Sequence, residues 1–93
     1  MTLEEKELEI IVHYQPRPQI KYMYTELSEL QEAIIEYEHN IRQEKLDHIK
    51  EEIADVQLML NQFKRYYDVS DEDIKRVMNE KADRQLKRIE EGK

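Results

Sequence analysis

Four acidic residues recur as two pairs with the same spacing. Glu29 follows Glu26 by three residues, and Asp55 follows Glu52 by three residues. Residues three apart on a helix lie on one side, about one turn from each other. If the two helices pack together, such pairs can supply the oxygen ligands that a hard cation such as Mg²⁺ prefers. Four carboxylates gathered without a cation would repel one another, so convergence of the two pairs would indicate a metal site.

A solvated helix surface is the simpler alternative for the same spacing. Asp and Glu make up 22 of the 93 residues, so pairs three apart arise by chance. Glu4 and Glu7 form another such pair, for which we predict no function. His48 lies one turn before Glu52 on the same face, and a surface histidine is its simpler interpretation. Taken as a pattern only, the spacing favours solvated helix faces.

Each acidic pair keeps the same phase relative to an apolar stripe. The first acid immediately precedes a stripe residue, which predicts the acids on a face beside the stripe. The stripe of the earlier helix is Ile20, Met23, Leu27, Leu30 and Ile34. The stripe of the later helix is Ile49, Ile53, Val56, Leu60 and Phe63. This matched phase predicts that the four carboxylates converge when the two helices pack.

Composition predicts a chain that is nearly all helix, because it contains one Gly and two Pro. The predicted helices cover residues 2–14, 19–39, 44–67 and 71–90. Thr2 with Glu5 is typical of a capping box at the first helix, and Ser70 with Asp73 begins the fourth. Pro16 ends the first helix. Residues 40–45 either form a short turn or continue the helix.

The amphipathic pattern predicts an all-α fold, an antiparallel helical bundle of four main helices completed by oligomerisation. Residues 1–93 form a single domain, since no linker or composition change divides them. The first helix carries Leu8, Ile11 and Val12 on one side. The fourth is expected to bury Ile74, Val77, Met78, Ala82, Leu86 and Ile89. This is more apolar surface than one small bundle easily covers, so we expect a homodimer or homotetramer.

Charge and composition exclude several function classes. The net charge of −7 argues against a nucleic acid polymer as partner, because phosphate backbones need a basic surface. The chain has no Cys, which removes disulfides and thiolate chemistry. The longest aliphatic run is residues 10–12, so we expect no membrane span. The first residues lack the pattern of a signal peptide, and we expect a cytoplasmic protein.

The fourth predicted helix carries the donors that a phosphate needs. Lys81, Arg84 and Arg88 fall on one side, and Asn79 lies slightly earlier. Lys and Arg beside a metal-bound anion are typical of phosphate-transfer sites. A solvated basic face near a helix C-terminus is the alternative.

Taken together, these three elements resemble a known family. The segments at residues 25–30 and 51–56, TELSEL and EEIADV, are similar to the ExxE…ExxD signature of the MazG-like all-α nucleoside triphosphate pyrophosphohydrolases. The segment at residues 78–84, MNEKADR, resembles the family's third element, an Asn-x-Lys segment with a following Arg. The resemblance covers residues 19–91, although Gln85 stands where some members carry a second Arg.

The resemblance implies an Mg²⁺-dependent enzyme that cleaves a nucleoside triphosphate to the monophosphate and pyrophosphate. Mn²⁺ is a possible substitute, and nucleotide-pool control or house-cleaning is the implied role. The implied metal ligands are Glu26, Glu29, Glu52 and Asp55, with Glu26 also the expected general base. The implied substrate contacts are Gln19, Asn79, Lys81, Arg84 and, in compensation for Gln85, Arg88. The alternative is a helical interaction module, or a nucleotide-binding protein without turnover.

Overall fold

The computed structural model describes residues 1–14 and 20–92, and every regular element in these ranges is a helix. In chain order the helices are α1 (Leu3–Tyr14), α2 (Ile20–His39), α3 (Gln43–Tyr66) and α4 (Asp71–Glu90). The prediction of an all-α chain with four helices is confirmed. Within the described ranges, no helix combines the length and the apolar character that crossing a membrane requires.

Both predicted helix starts are confirmed by their capping hydrogen bonds. The backbone N–H of Glu5 donates to Oγ1 of Thr2 at 3.1 Å, and the backbone N–H of Thr2 donates to Oε1 of Glu5 at 3.3 Å. At α4, the backbone N–H of Asp73 donates to Oγ of Ser70 at 3.1 Å. These bonds satisfy donors that the first turn of a helix leaves without intrahelical partners.

An antiparallel hairpin of α2 and α3 forms the centre of the structure. α2 ends at His39 and α3 begins at Gln43, so a three-residue connection settles the alternative between a turn and a continuous helix in favour of the turn. Ile41, the residue that would have kept the helical phase, is largely exposed in this turn. So short a connection makes the two helices antiparallel neighbours.

The buried face of each hairpin helix does not coincide with its predicted apolar stripe. On both helices it is turned about the helix axis toward the side that carries Glu26 or Glu52. Val56, Met59 and Ala33 are the buried apolar residues, and Glu52 shares the inward face of α3. Four central residues of the predicted stripes stay between 42% and 48% exposed in one chain: Leu27, Ile34, Ile53 and Leu60. Because equal phases on antiparallel helices point to the same side of a hairpin, these four residues form one uncovered apolar surface, here called the open face.

α1 packs on α3 through a side other than the one that carries Leu8 and Val12. Leu8 and Val12 are exposed, whereas Glu7 is only 2% exposed. Nη2 of Arg65 donates to Oε1 of Glu7 at 3.2 Å, which joins the two helices. Arg65 lies five residues after Leu60, or roughly 140° around α3. α1 therefore leaves the open face uncovered.

α4 packs along none of the other described helices, so one chain leaves the predicted bundle incomplete, and its completion by oligomerisation stays a prediction. It has no buried residue. The six residues that were predicted to face inward are all exposed: Ile74, Val77, Met78, Ala82, Leu86 and Ile89. The radius of gyration is 16.6 Å, against about 12 Å for a compact chain of this length. One copy of the chain thus leaves an amphipathic helix without a packing partner.

The turn between α3 and α4 is a Schellman motif. The backbone N–H of Val69 donates to the carbonyl of Lys64 at 2.8 Å, and that of Asp68 donates to the carbonyl of Arg65 at 3.2 Å. Asp68 takes the left-handed conformation, with φ of 54°, which most helix ends give to Gly. Nζ of Lys64 also donates to Oδ1 of Asp71 at 2.6 Å, and this bond lowers the pKa of Asp71. The motif fixes the direction in which α4 leaves the hairpin.

The conformation of Asp68 gives a stability prediction. Asp68→Gly is expected to raise the free energy of unfolding by up to about 1 kcal/mol, because Gly adopts this conformation without steric cost. Asp68→Val is expected to lower it by about 1–2 kcal/mol, since a β-branched residue is strained there. Urea unfolding of the two variants beside the wild type measures both effects. A Gly variant less stable than the Val variant would contradict the assignment of this turn.

Candidate metal centre

The first acid of each pair lies in the seam between α2 and α3. Glu26 is 9% exposed and Glu52 is 7% exposed, so each carboxylate has left most of its water. The matched phase predicted from the sequence produces this arrangement, because the two helices run antiparallel and present equivalent positions to each other. The acids were expected on a face beside the buried stripe. Instead, Glu26 and Glu52 are part of the buried face itself.

Three of the four predicted ligands come within reach of a single ion. Glu26, Glu52 and Asp55 each present a carboxylate oxygen, and these three oxygens lie within 4.8 Å of one another. With metal–oxygen bonds of about 2.1 Å, an octahedral Mg²⁺ holds adjacent ligands about 3 Å apart and opposite ligands about 4.2 Å apart. Small side-chain rotations would therefore bring this trio onto one cation. Asp55 is exposed, which leaves the cluster open to solvent on one side.

Two oxygens of the cluster are buried without any hydrogen-bond partner. These are Oε2 of Glu26 and Oε2 of Glu52. A buried carboxylate oxygen without a donor costs free energy, and natural structures rarely keep one without a reason. A bound cation would satisfy both atoms and offset their charge. The residues present thus fit a divalent metal ion, because they offer oxygen donors at a suitable spacing and two of these oxygens lack any other partner.

Burial and neighbouring charges raise the pKa of both buried acids, Glu26 and Glu52. Burial is the largest cause of the raised pKa of Glu26, followed by the charge of Asp55. Burial likewise raises the pKa of Glu52, and the charge of Glu29 is the next cause. Glu29 is itself exposed, but its charge acts on both buried acids. The fourth predicted ligand therefore lies at the rim of the cluster, outside the close trio.

His48 is the basic side chain that reaches the cluster. Its Nε2 lies 3.8 Å from Oε1 of Glu52, and its Nδ1 lies 3.7 Å from Oε2 of the exposed Glu51. Its proximity lowers the pKa of Glu52, against the stronger effects of burial and neighbouring acids. The position one turn before Glu52 was visible in the sequence, where a surface histidine was the simpler interpretation. In the structure it is half exposed and borders the buried acids.

The predicted phosphate contacts lie apart from these acids within one chain. Asn79, Lys81, Arg84 and Arg88 are all exposed on α4, which packs on neither helix of the hairpin. No Lys or Arg in residues 1–14 and 20–92 forms an ion pair with any of the four acids. Gln19, the remaining predicted contact, lies outside the described residues. A single chain thus brings three of the four predicted metal ligands together, but not the predicted phosphate-binding groups.

Glu7 is a buried acid for which the sequence analysis predicted no role. Its Oε2 also lacks a hydrogen-bond partner, while its Oε1 is paired with Arg65. The signal was present in α1, where Glu7 occupies the position between Leu3 and Ile10 on one side of the helix. An acid at such a position predicts a cationic partner on the neighbouring helix. Glu7 therefore has a structural role, since its ion pair with Arg65 joins α1 to α3.

Comparisons of the chain with protein-family models, with curated proteins and with solved structures found no match.

Proposed function

We propose that this protein is an Mg²⁺-dependent nucleoside triphosphate pyrophosphohydrolase of the MazG-like kind. Water attacks the α-phosphorus, the bond between the α-phosphorus and the bridging oxygen breaks, and the products are a nucleoside monophosphate and pyrophosphate. The observation that carries the proposal is the pair of buried carboxylates, Glu26 and Glu52, each with an oxygen that lacks a hydrogen-bond partner, together with Asp55. The MazG-like pattern of residues 25–30, 51–56 and 78–84 supplies the reaction type.

Metal ligation is the first role of the acids. Glu26, Glu52 and Asp55 would hold the ion, with Glu29 at the rim of the site. When bound, Mg²⁺ supplies neutralisation of the triphosphate charge and polarisation of the α-phosphoryl group. Mn²⁺ has the same preference for oxygen ligands and is expected to substitute. The exposed side of Asp55 leaves room for the phosphates to approach.

Proton transfer and charge stabilisation are the roles of the other groups. Glu26 accepts the proton of the attacking water, and its raised pKa brings the carboxylate closer to the basicity that this task needs at neutral pH. Lys81 and Arg84 donate to oxygens of the transferring and leaving phosphates, where Asn79 and Arg88 add further donors. Gln19, just before α2, is placed near the nucleotide by the family pattern alone.

A product assay tests the proposed reaction. The purified protein is incubated with each common NTP and dNTP in millimolar Mg²⁺, and the products are separated by ion-exchange chromatography. Pyrophosphate and monophosphate in equal amounts are expected for at least one nucleotide, with EDTA abolishing both. Release of diphosphate and inorganic phosphate would show cleavage at another bond. No product from any nucleotide would overturn the enzyme assignment.

Assembly into a homodimer, alone or paired into a tetramer, completes the proposal. The open face of the hairpin and the apolar side of α4 are both uncovered in one chain. Docking α4 of one copy on the open face of another would bury both surfaces, and two-fold symmetry would make the exchange reciprocal. Lys81 and Arg84 are exposed on α4, apart from the acids of their own chain, which leaves the cations of each site to be supplied by the α4 of a partner. We therefore propose that each site combines acids of one subunit with cations of the other.

Mixing two inactive variants tests this arrangement. Glu52→Gln and Lys81→Ala proteins are each expected to be nearly inactive. If the site is shared between subunits, unfolding and refolding them together gives mixed dimers with one intact site, and roughly a quarter of wild-type activity is expected from random pairing. If each site belongs to one subunit, no activity returns. Light scattering during size exclusion gives the mass, and a stable folded monomer at micromolar concentration would contradict the assembly.

A non-enzymatic interaction module is the second candidate function. The fully exposed α4 favours it, because an amphipathic helix without a partner in its own chain is also typical of a helix that binds another protein. In that case the acids of the hairpin would hold a structural cation only. Metal binding without product release in the assay above distinguishes this candidate from the enzyme.

A further inference from the structure

The two oxygens of Glu52 have different surroundings. Oε2 is buried and has no hydrogen-bond partner, whereas Oε1 lies 3.8 Å from Nε2 of His48. His48 lies one helical turn before Glu52, where side chains four residues apart meet on the helix surface. The separation is within ion-pair range and slightly longer than a hydrogen bond. Since His48 is about half exposed, its ring can rotate toward Oε1 without displacing buried groups.

Direct ligation of the metal by His48 does not fit the geometry. The oxygens that lie mutually within 4.8 Å belong to Glu26, Glu52 and Asp55, and His48 is outside that group. Along α3, His48 and Asp55 are seven residues apart, or roughly 10 Å. They flank Glu52 on opposite ends, so an ion held between Glu52 and Asp55 is distant from the imidazole. The remaining role is to act on Glu52 itself.

We propose that His48 is a positioning residue for the metal centre: its Nε2–H donates to Oε1 of Glu52 and so holds Oε2 of Glu52 in the seam toward the cation. The inference rests on the metal site of the proposed function. Groups that hydrogen-bond a metal ligand fix its orientation, and their loss typically weakens metal binding 10- to 100-fold. Among the described Lys, Arg and His side chains, only His48 lies within ion-pair distance of a cluster carboxylate. On the other side of the ring, Oε2 of the exposed Glu51 lies 3.7 Å from Nδ1, which is longer than a hydrogen bond.

Manganese titration followed by electron paramagnetic resonance tests the inference, because the signal of free Mn²⁺ reports binding without any substrate. His48→Ala is expected to raise the Mn²⁺ dissociation constant by about 10- to 100-fold. His48→Gln is expected to stay within a few-fold of the wild type, because the Gln amide can donate to the same oxygen. Glu51→Gln is the matched control and is expected to bind Mn²⁺ like the wild type, since Glu51 is exposed and outside the cluster.

Three results would overturn the inference, and they separate it from the proposed function. Wild-type affinity in His48→Ala, with binding lost in Glu52→Gln, would remove the role of His48 and keep the metal site. Nitrogen coupling in the spin-echo spectrum of bound Mn²⁺ would make His48 a direct ligand, which excludes a positioning role. No Mn²⁺ binding by the wild type would overturn both. Melting curves of the metal-free wild type and His48→Ala check that the variant remains folded.

Discussion

Glu52→Gln is expected to reduce pyrophosphate release by about 100-fold or more, because removing a group that stabilises charge at a phosphoryl-transfer site costs at least that much. Asp55→Asn is expected to act similarly. Both changes keep the size of the side chain and remove its charge. Far-UV circular dichroism should therefore show unchanged helix content. In the absence of metal, Glu52→Gln is expected to be at least as stable as the wild type, since the variant lacks a buried carboxylate whose pKa is raised by burial and by Glu29.

Glu4→Gln is the control for these two variants. Glu4 has the same spacing to Glu7 that Glu52 has to Asp55, but Glu4 is exposed on α1 and belongs to no cluster. It should keep wild-type turnover and melting temperature. Turnover is measured for each variant beside its melting curve. Near wild-type rates in folded Glu52→Gln and Asp55→Asn would make the catalytic assignment of the α2–α3 seam wrong.

The helices and their ends could be predicted from the sequence because they depend on local interactions. Thr2 and Ser70 supply caps within three residues of the groups they satisfy, and no other part of the chain is needed to recognise them. The proximity of Glu26 and Glu52 could also be predicted. Each precedes an apolar stripe residue, and residues at the same angular position on two antiparallel neighbouring helices lie on the same side of the pair. Local propensity and phase thus account for the fold class and for most of the acidic cluster.

The exact faces could not be predicted, because helix rotation depends on what each helix packs against. Ile53 and Leu60 complete a regular apolar stripe, yet they remain exposed while Glu52 is buried. Periodicity cannot tell a face that packs inside one chain from a face available to another copy. The same limit explains α4, whose apolar side has no partner in its own chain. It also explains Glu7, whose burial depends on Arg65, 58 residues later.

The metal-free protein is expected to lose stability as the pH rises above the ordinary pKa of glutamate. Burial raises the pKa of both Glu26 and Glu52, so the folded state binds more protons than the unfolded state between the ordinary glutamate pKa and the raised values. The free energy of unfolding falls with pH wherever the folded state binds more protons. The contribution of Asp71 has the opposite sign, because its pKa is lowered. Its window lies below the ordinary pKa of Asp, outside this range.

Mg²⁺ is expected to reverse that loss. A cation that binds only the folded state at 100 times its dissociation constant adds about 2.7 kcal/mol, or on the order of 10 °C in melting temperature for a domain of this size. The gain should be larger at pH 8 than at pH 5, because the carboxylates must be ionised to bind metal. Calorimetry at both pH values, with MgCl₂ or with NaCl at matched ionic strength, measures it. Glu52→Gln should lose most of the Mg²⁺ effect, whereas Glu4→Gln should keep it. Equal shifts in the two salts would reduce the effect to charge screening, and the acids of the seam would then be solvated carboxylates without a metal.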